Sequence, residues 1–381
     1  MNDPQPSPYE QQAWDDLTRP RPRRAASRAA AAVNGRVGDA ASRVRDAAQA
    51  SVSSRPRVRR VVDAVAGAGG AVGERVPQAA RSVGHHGAEA ARAVAEGGAR
   101  AVSRVATMAL SPKRVVKAHA RAGHPVTKLV DVRALDLQLV DAVKPRSLDV
   151  AYAALAAMSG GVAGAVITGS QVAVPVSGGV AAAPSAQAAG AAFLADTAAV
   201  MALSSAVVGH HALHYGYDPA RAEEKVFVLS VVNWGTALTS GSKAKAFADV
   251  SRLTQALVRG APWVDLNGFV LTAVTKRFTE VFGSRLVKQG LGKVVPVAGV
   301  VAGGSLNWLT LEQIADAADI AYRRRFLLDK YPQLEQSATE PVLGEHVVVT
   351  GEDEDVTVTD LLREAGVNVD EVDGPRSDDQ D

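Results

Sequence analysis

His210, His211 and His214 spell His-His-x-x-His. On a helix, His210 and His214 stand at i and i+4 on one face, a spacing that suits two imidazole ligands of a metal. The zinc-peptidase pattern H-E-x-x-H requires glutamate where this chain has His211, so the general base of that chemistry is missing. Asp196 is the second residue with chemical potential, because it is the only Asp, Glu, Lys or Arg between Asp149 and Asp218. A carboxylate in such surroundings must pair, take a raised pKa or face water. The expectation is a buried acid that fixes helix register, paired to an Arg or Lys from the helices over 221–293. The competing role is contact with a ligand or a lipid headgroup. Glu312, Asp316 and Asp319 share a helical segment, and Asp319 and Arg323 are spaced for a surface i, i+4 pair. No P-loop, strict dinucleotide glycine signature, kinase set or nucleophile elbow occurs.

The elements that must position these residues read as helices. Residues 150–195 contain no Asp, Glu, Lys or Arg and are dominated by Ala, Gly, Val and Ser. Two apolar helices are expected there, over 148–168 and 186–214, joined by the Gly/Pro/Ser stretch 174–179. Gly160, Gly161 and Gly164 leave a groove that a second helix can approach closely. Each helix has the length to cross hydrocarbon, although Ala and Gly are weak insertion signals. An amphipathic helix is expected over 126–143, and a helix start at Ser111-Pro112. At least two more helices are expected within 219–290, one started by Pro219. The apolar spacing of Phe269, Val270, Val274, Phe278, Val281 and Phe282 gives a strong helical stripe. A last Gly-rich helical element over 291–330, interrupted by Pro296, carries Arg323, Arg324 and Arg325, read as a helix C-terminus and a membrane-interface anchor. Short strands are expected only in the tail, at 347–349 and 356–358.

Composition divides the chain into four parts. Residues 1–147 hold 25 Lys+Arg against 13 Asp+Glu, whereas residues 340–381 hold 2 against 14. A basic arm and an acidic tail therefore flank a near-neutral core. The expected organisation is a disordered basic arm at 1–55, Ala/Arg-rich amphipathic segments at 56–125, a helical core at 126–335 and an acidic tail at 336–381, ending in disorder. The fold class is all-α: a Gly/Ala-rich multi-helix bundle with an apolar helical hairpin. Cysteine is absent, which excludes disulfides, thiolate metal sites and cysteine nucleophiles. The N-terminal residues lack the basic-then-apolar pattern of a secretory leader, so none is expected.

Four features together carry a family resemblance: the Gly/Ala-rich run at 159–180; Phe193-Leu194-Ala195-Asp196-Thr197 leading to Tyr215-Gly216-Tyr217-Asp218; Lys293 to Gly299 with Gly303-Gly304 and Asn307; and Tyr322-Arg323-Arg324-Arg325-Phe326-Leu327. In order and spacing, residues 126–331 resemble the EcsC protein family of bacteria. One departure is Ser159, where the family pattern suggests an acid before Gly160. The resemblance implies a membrane-associated accessory protein with no confirmed enzyme activity and no cofactor. It points to Asp196, Tyr215, Gly216, Asp218, Asn307 and Arg325 as ligand-binding or structural positions.

Three functions follow as expectations. The first is a cytoplasmic protein at the inner face of the cell membrane, meeting an anionic lipid surface and membrane transport proteins and assisting transport or envelope processes. The second is a soluble hydrolase-like enzyme using Asp196 and the histidines of 210–214; it lacks a nameable acid–base–nucleophile set. The third is nucleic-acid binding through the Arg-rich arm; interleaved aromatics for base stacking are nearly absent from it.

Overall fold

A computed structural model describes residues 4–17, 110–145, 149–157, 159–160, 163, 182–260, 266–291, 299–337 and 356–367. Among these residues every regular element is helical and no strand occurs. In chain order they are α1 (Pro8–Asp16), α2 (Pro112–Arg121), a 3-10 turn (Leu129–Ala134), α3 (Leu137–Val143) and helical residues 149–157. Then come α4 (Ala182–His214), α5 (Ala222–Thr236), α6 (Ser240–Val258), α7 (Gly268–Leu291), α8 (Gly299–Lys330), a second 3-10 turn (Pro332–Ser337) and α9 (Val358–Glu364).

Helix α5 is the axis of the bundle. From Val226 to Thr236 every residue is buried, because α4, α6, α7, α8 and α9 all pack around it. Such a helix needs no polar face, and the sequence Val-Phe-Val-Leu-Ser-Val-Val supplies none but Ser230. α8 packs along both α4 and α5. The approach of α5 to α8 depends on Gly235, where a Cβ would lie 2.8 Å from Ile314 Cα.

Several sequence expectations change. The single helix over 126–143 is two elements. Asp131 accepts bonds from Thr127 and Lys128 and folds a 3-10 turn, and Asp136 then caps α3 by accepting from Gln138 N at 2.8 Å. Two acids spaced as caps outcompete one continuous ladder. Residues 356–358 are not a strand: Thr357 Oγ1 accepts from Asp360 N at 3.1 Å and starts α9. The arm expected to be disordered from residue 1 begins with a packed helix. Ser7 and Glu10 form a capping box, with Pro8 in the first turn, and Trp14 and Leu17 join the core. The rest of that arm, the segments of 56–109, the link at 164–181, the strand expected at 347–349 and the end of the tail lie outside the described residues. The expected second apolar helix is present as α4, beginning four residues earlier, at Ala182.

Candidate functional site

The first cluster sits where three helices meet. Asn307, on α8, donates through Nδ2 to Ala156 O at 3.2 Å and to the Asp196 oxygens at 2.9 and 3.1 Å. Ser159 Oγ donates to Asp196 Oδ1 at 2.7 Å. Among the described residues the partners of Asp196 are neutral, whereas the sequence reading expects an Arg or Lys. Burial pushes its carboxyl above the usual range, while the bonds from Ser159 and Asn307 oppose that rise. Ser159 is thus a donor to the acid across the helix pair.

The second cluster is built on the turn after α4. Tyr217 N donates to Ala212 O at 2.9 Å and Gly216 N to Leu213 O at 3.1 Å, closing a Schellman C-cap. Gly216 has φ +85°, and a Cβ there would meet Arg133 Cγ at 2.8 Å. The turn aims two tyrosines at α8. Tyr215 donates to Asp319 at 2.8 Å and Tyr217 to Asp329 at 2.6 Å. Asp218 serves the turn itself, accepting from Ala220 N at 3.0 Å.

Cations complete this network. Arg325 donates to both oxygens of Glu224, at 2.7 and 2.9 Å, while its guanidinium lies over the Tyr217 ring at 4.0 Å. Arg323 donates to both oxygens of Asp141, at 2.9 and 2.8 Å, and its contact with Asp319 is longer, at 4.0 Å. That pair is largely buried rather than a surface bridge. The run Arg323–Arg325 also stands inside α8, which continues to Lys330, so these arginines hold the core together instead of ending a helix at an interface. A cleft of about 210 Å³ opens beside this network. Its charged lining is Arg133, Arg221 and Arg325 against Glu223, Glu224 and Asp329, three of each sign.

The third cluster contains the histidines. His210 and His214 do share a face, with rings stacked at 5.0 Å between centroids and 4° between planes. His211 points elsewhere. Its Nε2 donates to Asp149 at 3.1 Å and its Nδ1 accepts from Lys144 at 3.1 Å, so it is neutral with the proton on Nε2. Burial lowers the pKa of His210 to about 4 and of His214 to about 2, with neighbouring histidines and Lys144 adding to the effect. Neutral imidazoles are the form a metal requires. Among the described residues, however, no three His, Asp or Glu side chains converge as metal ligands.

Asp196 and Asn307 meet in the first cluster, and Tyr215, Gly216 and Arg325 belong to the second; the alternative reading as a hydrolase-like enzyme would need Asp196 and the histidines together. Asp196 and the histidines lie on one helix, 14 to 18 residues apart, which is about 21–27 Å along its axis. Glu312 accepts from Trp308 Nε1 at 3.2 Å within its own helix. Glu10, Asp249 and His119 were missed. The capping box Ser7-Pro8-Tyr9-Glu10 was the available signal for the first.

These features define a class: an all-helical protein whose long, small-residue helices are joined by buried acid–base pairs. The model of the EcsC protein family matches residues 176–327 of this chain. The match includes Asp196, Tyr215 to Asp218, Asn307 and Arg325, and it begins after Ser159. An uncharacterised protein of Bacillus subtilis strain 168, YdbA, is 28% identical over 142 residues, 37% of this chain and 50% of that protein. The chain thus spans about half the length of that relative. No solved structure matches it.

Proposed function

We propose that the protein is a membrane-associated accessory protein that docks on the anionic inner face of a cell membrane and assists transport or envelope processes there. The observation that carries this reading is the division of α4 into two halves. From Leu203 to His214 every residue is buried except Ser205, which is half-buried. Its outer half exposes Gly190, Leu194, Ala198 and Ala202 at four-residue spacing, with Leu194 68% exposed, and most of that half belongs to a charge-free run.

The segment Ala192–His214 is long and apolar enough to cross a membrane, with a mean hydropathy of 1.6 and half of it buried. A crossing would strip His211 from Asp149 and Lys144, and Asp196 from Ser159 and Asn307, and leave polar groups without partners in hydrocarbon, each at a cost of about 2–7 kcal/mol. Shallow insertion of the outer half carries no such cost. The exposed face of α2 adds Lys113, Arg114, Lys117 and Arg121, each contributing about 1 kcal/mol near an anionic surface.

Flotation of the full chain with phosphatidylcholine vesicles, with and without phosphatidylglycerol, tests the proposal. Binding is expected only with the anionic lipid, weakened by salt, and reduced severalfold by Leu194→Glu. A chain that stays unbound at low salt with anionic vesicles would sink the reading.

A further inference from the structure

Helix α2 is attached to the bundle by little. Its buried residues are Val115 and His119, and the rest of its surface is half-exposed or exposed. It lies on the first 3-10 turn and on α4. Only two of its side chains are fully buried, one of them an imidazole, with Val116 packed half-buried against the core beside them.

What His119 meets there is more histidine. Its Nδ1 lies 2.9 Å from Nδ1 of His124, so one ring donates and the other accepts. On the α4 side stand the stacked His210 and His214 and the edge of Tyr152, its ring 6.3 Å from that of His210. His119 Nε2, His210 Nδ1, both ring nitrogens of His214 and the Tyr152 hydroxyl are buried with no hydrogen-bond partner. A neutral imidazole tolerates such a place at modest cost, whereas an imidazolium does not.

The surrounding charges sharpen this. Arg114 comes from α2, Lys144 from the segment after α3, and His211 from α4 itself. The carboxylates in reach are Asp149 and, through His211, Asp319, and both are already engaged by His211 and Lys144. A proton added to His119, His210 or His214 therefore meets cations without a spare acid. Protonating both His119 and His124 turns their shared bond into two opposed donors.

We propose that this cluster is an acid-sensitive latch, which holds the basic helix α2 against α4 at neutral pH and releases it when the histidines are protonated. The rings keep their pKa values below the ordinary imidazole value only while α2 covers them, chiefly because covering them excludes water. A histidine whose folded pKa is depressed favours the docked state above its ordinary pKa of about 6.5 and loses that preference as pH falls below it. Between pH 7.5 and 5.0 the opening equilibrium shifts roughly thirtyfold for each histidine that takes up a proton. The membrane reading is not needed for this.

Amide hydrogen exchange of the full chain, corrected for the intrinsic effect of pH, reads the latch directly. The expected result is a loss of protection in residues 115–122 of thirtyfold or more between pH 7.5 and 5.0, with α5 and α8 unchanged. The double variant His119→Phe and His214→Phe is expected to lose most of that pH dependence. If it does not fold, Val115→Cys in the parent reports the same event, because the chain has no cysteine of its own. Its labelling, normalised to Lys117→Cys, should accelerate at pH 5.0. Equal loss of protection across all helices, no loss in α2, or unchanged pH dependence in the double variant would each overturn the proposal.

Discussion

Asp196 and Arg325 are both ionisable groups in the helical core, and their surroundings treat them oppositely. Arg325 has a full carboxylate partner in Glu224, whereas Asp196 has a hydroxyl and an amide. Its raised pKa means that the ionised form is penalised in the folded state. The stability linked to it is present below the ordinary aspartate pKa and is lost as pH rises through the folded value. Asp196→Asn is therefore expected to leave thermal stability at pH 7 unchanged or slightly raised. Asp196→Ala strands Ser159 and Asn307 and should cost about 1–3 kcal/mol. Melting curves of the two variants check this, and equal losses would contradict it. The sequence showed that Asp196 is isolated in an apolar run. It could not show that its partner is Asn307, 111 positions on, because an asparagine among many polar residues carries no mark of its contacts.

At the scale of elements, Gly235 and Gly190 separate two uses of glycine. Gly235 lets α8 approach α5 to within the space of a side chain, while nothing stands within 4 Å of a Cβ added at Gly190. Gly190→Ala is expected to stabilise by about 0.4–1 kcal/mol through the unfolded chain. Gly235→Ala gains the same but forces the two backbones apart, for a net loss of about 1–3 kcal/mol. Chemical denaturation midpoints moving in opposite directions would bear this out; a stabilised Gly235→Ala would refute the close approach. The apolar helices were legible because their periodicity is long and uninterrupted, and α4 was placed to within four residues at its start. The broken helix over 129–143 and the tail helix α9 were not. Both depend on a single oxygen choosing a backbone N–H, at Asp136 and at Thr357, and periodicity averages over such choices.

For the whole molecule, two acids bring distant parts of the chain into one body. Glu10, 1% exposed, accepts from Lys330 Nζ at 2.5 Å, from Tyr331 Oη at 2.7 Å and from Leu137 N at 3.2 Å. Burial alone would raise its pKa, but the bonds from Lys330 and Tyr331 bring it below the ordinary value. Asp249 accepts from Ser230 and from the backbone of Val358 and Thr359, which anchors α9 to the bundle. Deleting residues 1–17 is therefore expected to lower stability by about 2–4 kcal/mol near neutral pH, since Lys330 and Tyr331 lose their acceptor. The part of that stability held by the depressed Glu10 pKa is present above pH 4.5 and lost as pH falls through the folded value. Urea titration of the truncated chain measures this, and an unchanged midpoint would contradict it. Charge counting had grouped α1 with the basic arm, because a nine-residue helix contributes little to a composition averaged over the whole arm.

The Glu10–Lys330 pair also sets an order of events in protein synthesis. The carboxylate is made 320 positions before its ammonium partner. At about 5–20 residues per second, α1 waits roughly 15–60 seconds for the end of α8 to leave the ribosome. Throughout that interval Glu10 lacks Lys330 and Tyr331, although α3 is already there to pack on α1. Completion of the bundle falls late, after Tyr331 and then α9 have been translated.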